Sequence, residues 1–231
     1  MKPVPIRVSV LSRAMIGLLW LGISGCGYNA YSVRGVNTGL DGAGSCSLLL
    51  EAEIRIWSDF DGTVLPDVGD SALASAAAST ALIGEFEARF GRQLRLLQPS
   101  PGDTQRLLRE YLALYSLLSD QALRLSRAFE PRWRHKRGDT DLGVGPELLQ
   151  LVGATGCGSA IVLSGFQLPV SGAGVAPGVP VGRAVLSLGV LDLGSGEIIW
   201  VNRIIQSVGR DLMQGENLRL AIDRLLKGYP A

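Results

Sequence analysis

Residues 160–164, Ala160-Ile161-Val162-Leu163-Ser164, are apolar almost without a break, and a run of this kind suits a strand covered on both faces. The rest of the chain must therefore supply neighbouring strands and two covering layers. From Cys46 to Phe60 the sequence opens with Leu48-Leu49-Leu50. It continues with Ala52, Ile54 and Ile56 alternating with charged residues, the period of a strand with one wet face. An Ala/Ser-rich segment follows, in which Leu82, Ile83, Phe86 and Phe90 recur at helical spacing; Asp70 or Ser71 caps it and Gly91 stops it. Leu94 to Leu97 reads as a short strand before the breaker Pro99-Ser100-Pro101-Gly102. Asp103 or Thr104 caps the longest helix, whose stripe is Leu107, Leu108, Tyr111, Leu114, Tyr115, Leu118, Ala122 and Leu125, with Leu117 and Leu123 off it. Pro146 to Val152 forms a short helix, and residues 169–182 a loop rich in glycine and proline. Arg183 to Leu193 and Glu197 to Ser207 are two strands joined by Gly194-Ser195-Gly196. A last helix begins at Gln214 or Asn217 and turns Leu218, Ile222, Leu225 and Leu226 inward. This order predicts an α/β fold with a single mixed β-sheet, helices packed on it, and a carboxy-terminal β-hairpin followed by a helix.

The amino terminus follows another logic. Lys2, Arg7 and Arg13 precede an apolar run, Ala14 to Gly22, which ends in Ile23-Ser24-Gly25-Cys26. A basic region, a short apolar region and small residues before a cut are secretory features, and the cysteine after Ser24-Gly25 resembles the lipobox of bacterial lipoproteins. The dozen residues from 14 to 25 are too few to cross a hydrocarbon layer that takes about 20. The resemblance implies cleavage before Cys26 and acylation of that cysteine. Residues 1–25 are then a signal peptide, 26–45 the lipidated cysteine with a flexible tether, and 46–231 the periplasmic domain. The tether from Gly27 to Ser45 is Gly/Asn/Ser-rich, with a root-mean-square reach of roughly 25 Å. Gly27 is not aspartate, which in enterobacterial-type sorting permits transfer to the periplasmic face of the outer membrane.

Composition narrows the partners. The leader holds three of the 22 basic residues and none of the 21 acidic ones, so the mature chain carries 19 against 21, a net charge of −2. That excludes the basic excess of a nucleic-acid binder. Three cysteines and one histidine, His135, give no zinc spacing, and neither a metal nor a cofactor is expected. With Cys26 acylated, Cys46 and Cys157 remain as an even pair in an oxidising compartment. Each precedes a strand, and two parallel strands starting side by side bring such residues within bonding range. The alternative is two small buried thiols. The run Arg132-Trp133-Arg134-His135-Lys136-Arg137 is either a solvated loop or a patch for an anionic polymer, a lipid headgroup or a partner protein.

Two further resemblances bear on function. Gly156-Cys157-Gly158-Ser159-Ala160-Ile161-Val162-Leu163-Ser164-Gly165 matches the glycine-led strand of the TolB amino-terminal-like fold. Leu191-Asp192-Leu193-Gly194-Ser195-Gly196-Glu197-Ile198-Ile199-Trp200 is similar to that fold's D-x-x-T-G-E hairpin, with Ser195 for threonine. Together with the helix closing on Tyr229-Pro230, these residues resemble a group of envelope lipoproteins. The group includes the curli secretion lipoprotein, the Pel polysaccharide export lipoprotein and the outer-membrane activators of penicillin-binding proteins. The likeness covers Gly153 to Pro230 and, loosely, the first strand; Asp103 to Asp141 has no counterpart. It implies a non-enzymatic lipoprotein that assembles with itself or docks on envelope proteins.

The second resemblance points to an enzyme. Asp59-Phe60-Asp61-Gly62-Thr63-Val64, placed directly after a strand, is similar to the nucleophile loop of haloacid dehalogenase-like phosphatases. There Asp59 would attack phosphorus and Asp61 protonate the leaving group beside Mg²⁺, with Ser164 as a second-motif hydroxyl. The family's later lysine has only Lys227 to match it, and Gly138-Asp139-Thr140-Asp141 precedes Ser164 instead of following it. The same string also makes a polar turn. No Ser/His/Asp triad, no phosphate-binding loop and no pair of membrane-crossing hairpin segments is legible.

Overall fold

The computed structural model describes residues 29–34, 46–97, 102–126, 142–146, 148, 156–169, 182–208 and 215–229. They form one eight-stranded mixed sheet with three long helices: β1 (Asn29–Arg34), β2 (Cys46–Leu49), β3 (Glu53–Phe60), β4 (Thr63–Asp67), α1 (Val68–Phe90), β5 (Gln93–Leu96), α2 (Asp103–Ser126), β6 (Ser159–Pro169), β7 (Gly182–Asp192), β8 (Ile198–Val208) and α3 (Gly215–Leu225). Strand order is β1-β8-β7-β6-β2-β5, and β3 pairs with β6 on one side and β4 on the other. The predicted helix at 146–152, the loop at 169–182 and the end of the long helix beyond 126 lie largely outside the described residues.

The apolar run at 160–164 sits mid-sheet, as its composition requires. Ile161 and Leu163 face one core with Ala74, Ala78, Leu82 and Phe86 of α1 and Leu218, Ile222 and Leu225 of α3. Ala160 and Val162 face a second core with Leu108, Tyr115 and Leu123 of α2. Helices thus cover both faces, and at about 1.5–3 kcal/mol for each large apolar side chain these two cores dominate the stability. In α2 the contact seam is rotated from the sequence stripe: Leu123, off the stripe, is buried and Leu114, on it, is exposed, while Leu117 is exposed as its place off the stripe implies.

Three segments depart from expectation. Cys46 to Phe60 is two strands, broken at 50–52, that follow one another along the same flank of β6: Ser47–Leu49 pair with Ser159–Ile161, and Glu53–Ile56 with Ser164–Gln167. The cap of α1 is Asp67, whose carboxylate accepts from the Asp70 amide at 2.9 Å, one turn before the residues the sequence suggested. The serines of that helix have a second use. Ser75 and Ser71 hydroxyls accept from the backbone amides of Ile54 and Ile56 at 2.9 and 2.8 Å, satisfying donors of β3 at and beyond the end of its pairing with β4. Finally, Asn29–Arg34, read as part of a flexible tether, is β1, antiparallel to β8 from Asn29↔Ile205 to Arg34↔Trp200. Tyr31 and Val33 supply the β-forming residues, and the unpaired edge of β8 supplies the partner.

Candidate functional site

Cys26 lies outside the described residues, only three positions before the first residue of β1. The basic run Arg132, Trp133, Arg134, Lys136 and Arg137 and the pair Asp139 and Asp141 also lie outside them. The described candidates are the β3–β4 hairpin, the cysteine pair and the β7–β8 turn.

The hairpin contains the D-x-D-G-T string. Phe60 pairs with Thr63, so Asp61 and Gly62 are the two corner residues, and both have positive φ, 51° and 83°. That is the conformation in which Asp-Gly closes a two-residue hairpin. The Asp59 carboxylate accepts from the Gly62 amide at 2.7 Å and fixes the turn. Ser164, assigned as the second-motif hydroxyl, pairs with Glu53, six residues before Asp59, which is roughly 20 Å away along the strand. It also lies in the middle of β6, which runs on to Pro169. The structure therefore does not bring Asp59, Asp61 and Ser164 together. Among the described residues no group of three or more His, Cys, Asp or Glu side chains is placed to hold a metal ion.

What the hairpin does present is apolar surface. Phe60 is 52% exposed, Leu65 47% and Val64 36%, and Val68 at the start of α1 is also exposed. The sequence pattern gave the polar turn but not the strand Thr63–Asp67 that follows it. The signal was there: Asp-Gly between Trp57/Phe60 and Val64/Leu65 is a hairpin pattern.

Cys46, at the start of β2, and Cys157, two residues before β6, are joined by a disulfide with Cα atoms 5.0 Å apart. The parallel pairing Ser47↔Ser159 places their strands side by side, and beside the bridge the Ser47 and Ser159 hydroxyls hydrogen-bond at 2.7 Å in the buried interior.

In the β7–β8 turn the Asp192 carboxylate accepts from the Gly194 and Ser195 amides at 3.2 and 3.1 Å, and the Ser195 hydroxyl accepts from the Glu197 amide at 3.2 Å. The Ser195 hydroxyl thus takes part in closing the turn. Gly196 has φ 74°, and a Cβ there would lie 2.0 Å from the Gly145 carbonyl oxygen. The motif is a packing device: residues 142–145 lie against the turn through bonds from Val144 N to Gly196 O and from Ile198 N to Leu142 O, both 2.8 Å. Trp200 beyond it is buried, edge-on to Tyr229 at 5.7 Å.

One buried polar group was not foreseen. Tyr115 of α2 is buried beneath Gly189 of β7, beside Ser119 and Ser187, and burial pushes its hydroxyl well above the ordinary tyrosine value, with the Arg203 guanidinium opposing. Arg203 is itself ion-paired with Asp120. These contacts fix α2 on the sheet.

No protein-family model matches the chain, and no curated protein matches its sequence. Among solved structures it is similar to the PelC dodecamer from Paraburkholderia phytofirmans, with 10% identity over 87% of this chain and 94% of that one and a TM-score of 0.37. It is also similar to the hypothetical protein CT253 from Chlamydia trachomatis, with 12% identity over 80% and 92% of the two chains and a TM-score of 0.38. A third likeness is to lipoprotein GNA1162 from Neisseria meningitidis, with 11% identity over 79% and 95% and a TM-score of 0.32. No residue role passes from these proteins to this chain.

Proposed function

We propose that this chain is a lipid-anchored envelope protein that works by contact and not by catalysis. Acyl chains on Cys26 hold it to the periplasmic face of the outer membrane, and it serves as an assembly or accessory component in envelope biogenesis, secretion or polysaccharide export. The observation that carries the reading is Cys26 itself, set after Ile23-Ser24-Gly25 at the end of a short apolar run with a basic front. The Cys46–Cys157 disulfide supports it, because such bonds persist in oxidising compartments. The hairpin bonding of Asp59 supports a structural role for the string that resembles a phosphatase loop.

Intact-mass analysis and fractionation of envelopes test the anchor. The expected result is a product that begins at Cys26, carries acyl chains and pellets with membranes, while Cys26→Ser leaves an unacylated protein. An unmodified Cys26 or a retained leader in the wild type refutes the proposal. Partner proteins and self-association are tested by crosslinking in intact envelopes, comparing wild type with charge reversal at Arg132, Arg134, Lys136 and Arg137. Identical adducts in both remove the basic run from the interface.

A further inference from the structure

The position of β1 sets how the domain meets its membrane. Register carries one level across the sheet: Asn29 of β1 stands opposite Ile205 of β8, Ile205 opposite Val185, Val185 opposite Phe166, and Phe166 opposite Arg55 of β3. The intervening pairings make β1 antiparallel to β3, so the chain leading back to Cys26 leaves the sheet at the end toward which β3 runs to the hairpin. Phe60 lies five residues past Arg55, roughly 17 Å along the strand. Cys26 lies three residues before Asn29, within roughly 10 Å of extended chain. Twist of about 20–25° per strand over the four steps tilts the outer strands up to about 45° from their mean. Along that mean direction the hairpin still advances roughly 12 Å and the anchor roughly 7 Å. A bilayer that holds the acyl chains at Cys26 is therefore within reach of the hairpin.

The surface there has a definite chemistry. Phe60, Val64 and Leu65 are exposed beside Asp59 and Asp61, and no Lys or Arg occurs between Arg55 and Arg89. The Asp59 carboxylate is held by the Gly62 amide within the turn, while Asp61 stands exposed at the corner beside the apolar side chains. Carboxylates interleaved with apolar groups complement a lipid layer that presents ammonium groups over acyl chains and are repelled by an anionic one.

We propose that the β3–β4 hairpin is a second, shallow membrane contact beside the lipidated cysteine, with Phe60, Val64 and Leu65 resting in an amine-bearing headgroup layer. This rests on the acylation of Cys26, and it replaces a domain swinging on a long tether by one held in a fixed orientation.

The test uses the mature acylated protein in phosphatidylethanolamine/phosphatidylcholine vesicles, with tryptophan placed at Phe60 or, as a control in the opposite half of the sheet, at Leu96, which is 43% exposed. Emission added by Phe60→Trp, taken as the difference from wild type, should fall at least twofold with lipids brominated high in the acyl chains. Leu96→Trp should not respond, and replacing part of the lipid by phosphatidylglycerol should weaken the Phe60→Trp quenching. Vesicle-bound, acylated protein in which neither tryptophan is quenched, or in which Leu96→Trp is quenched instead, overturns the orientation and leaves the anchor standing. Unmodified Cys26 by mass analysis overturns the anchor and this contact with it. Concentration-dependent shielding of Phe60→Trp from acrylamide in a soluble Cys26→Ser form assigns the hairpin to a second copy of the chain and also overturns the membrane contact.

Discussion

Removing the disulfide gives the most quantitative test of the fold and its compartment. Cys46 and Cys157 are 111 positions apart in sequence, so the bond closes a loop that contains β2 to β5 and the whole of α1 and α2. Loop-closure entropy for a ring of this size sets a limit of about 5 kcal/mol, and measured losses run at roughly 2–4 kcal/mol. For a domain of this length each kcal/mol moves the melting temperature by roughly 2–4 °C. Cys46→Ala/Cys157→Ala should therefore melt on the order of 10 °C below the oxidised wild type, with a steeper urea dependence because the uncrosslinked chain exposes more surface. Reduced wild type separates the crosslink from packing, since both sulfur atoms remain buried there, and it should lose most of the same stability. Calorimetry and urea titration with and without reductant provide the readout, together with a thiol count on the unfolded protein. Two free thiols in protein purified from the envelope, or a shift below about 2 °C in both arms, would refute the argument from loop closure.

Three further outcomes follow from particular contacts. Gly189→Ala would set a Cβ 1.7 Å from the Tyr115 hydroxyl oxygen; it should cost about 1–3 kcal/mol, with strong non-additivity alongside Tyr115→Leu in a urea-melt cycle, and additive losses would contradict the contact. Gly62→Ala, at φ 83°, should destabilise by about 1 kcal/mol, while Mg²⁺-dependent hydrolysis of p-nitrophenyl phosphate stays at background in wild type and Asp59→Asn alike; turnover lost on Asp59→Asn would overturn the hairpin reading. Burial holds the Tyr115 hydroxyl above its ordinary value, and that of Tyr229 shifts in the same direction. The unfolded chain releases these protons near pH 10 and the folded one retains them, so their stabilisation is present below about pH 10 and declines as pH rises beyond it. Urea midpoints between about pH 9 and pH 11 should show a shallower alkaline decline in Tyr115→Phe, and an unchanged slope would exclude Tyr115 as its source.

Much of the architecture was legible because burial writes itself into local pattern. The run at 160–164 announced a doubly covered strand; Leu218, Ile222 and Leu225 announced the inner face of the last helix; Gly91, at φ 63°, announced where α1 ends. The misreadings share one cause. Asn29–Arg34 is polar enough to be a tether and becomes β1 because β8 offers an open edge. Leu48–Leu50 and Ile54–Ile56 read as one strand because both are apolar, and only the register on β6 separates them. The D-x-D-G-T string suits either a phosphoryl-transfer loop or a turn, and the two differ in whether Ser164 lies near Asp59 or roughly 20 Å away.

The amino-acid order alone carried the lipobox-like pattern that ends at Cys26, the alternation of strands and helices, the pairable cysteines and the near-neutral charge, since each depends on residues close in sequence or on simple counts. Only the tertiary structure decided that Asp59 is a turn-former, that residues 29–34 pair with β8 as β1, and that Phe60, Val64 and Leu65 are exposed on the β3–β4 hairpin. These are relations between segments distant along the chain, and strand register, which fixes them, is set by the packing of the whole sheet and not by any one segment.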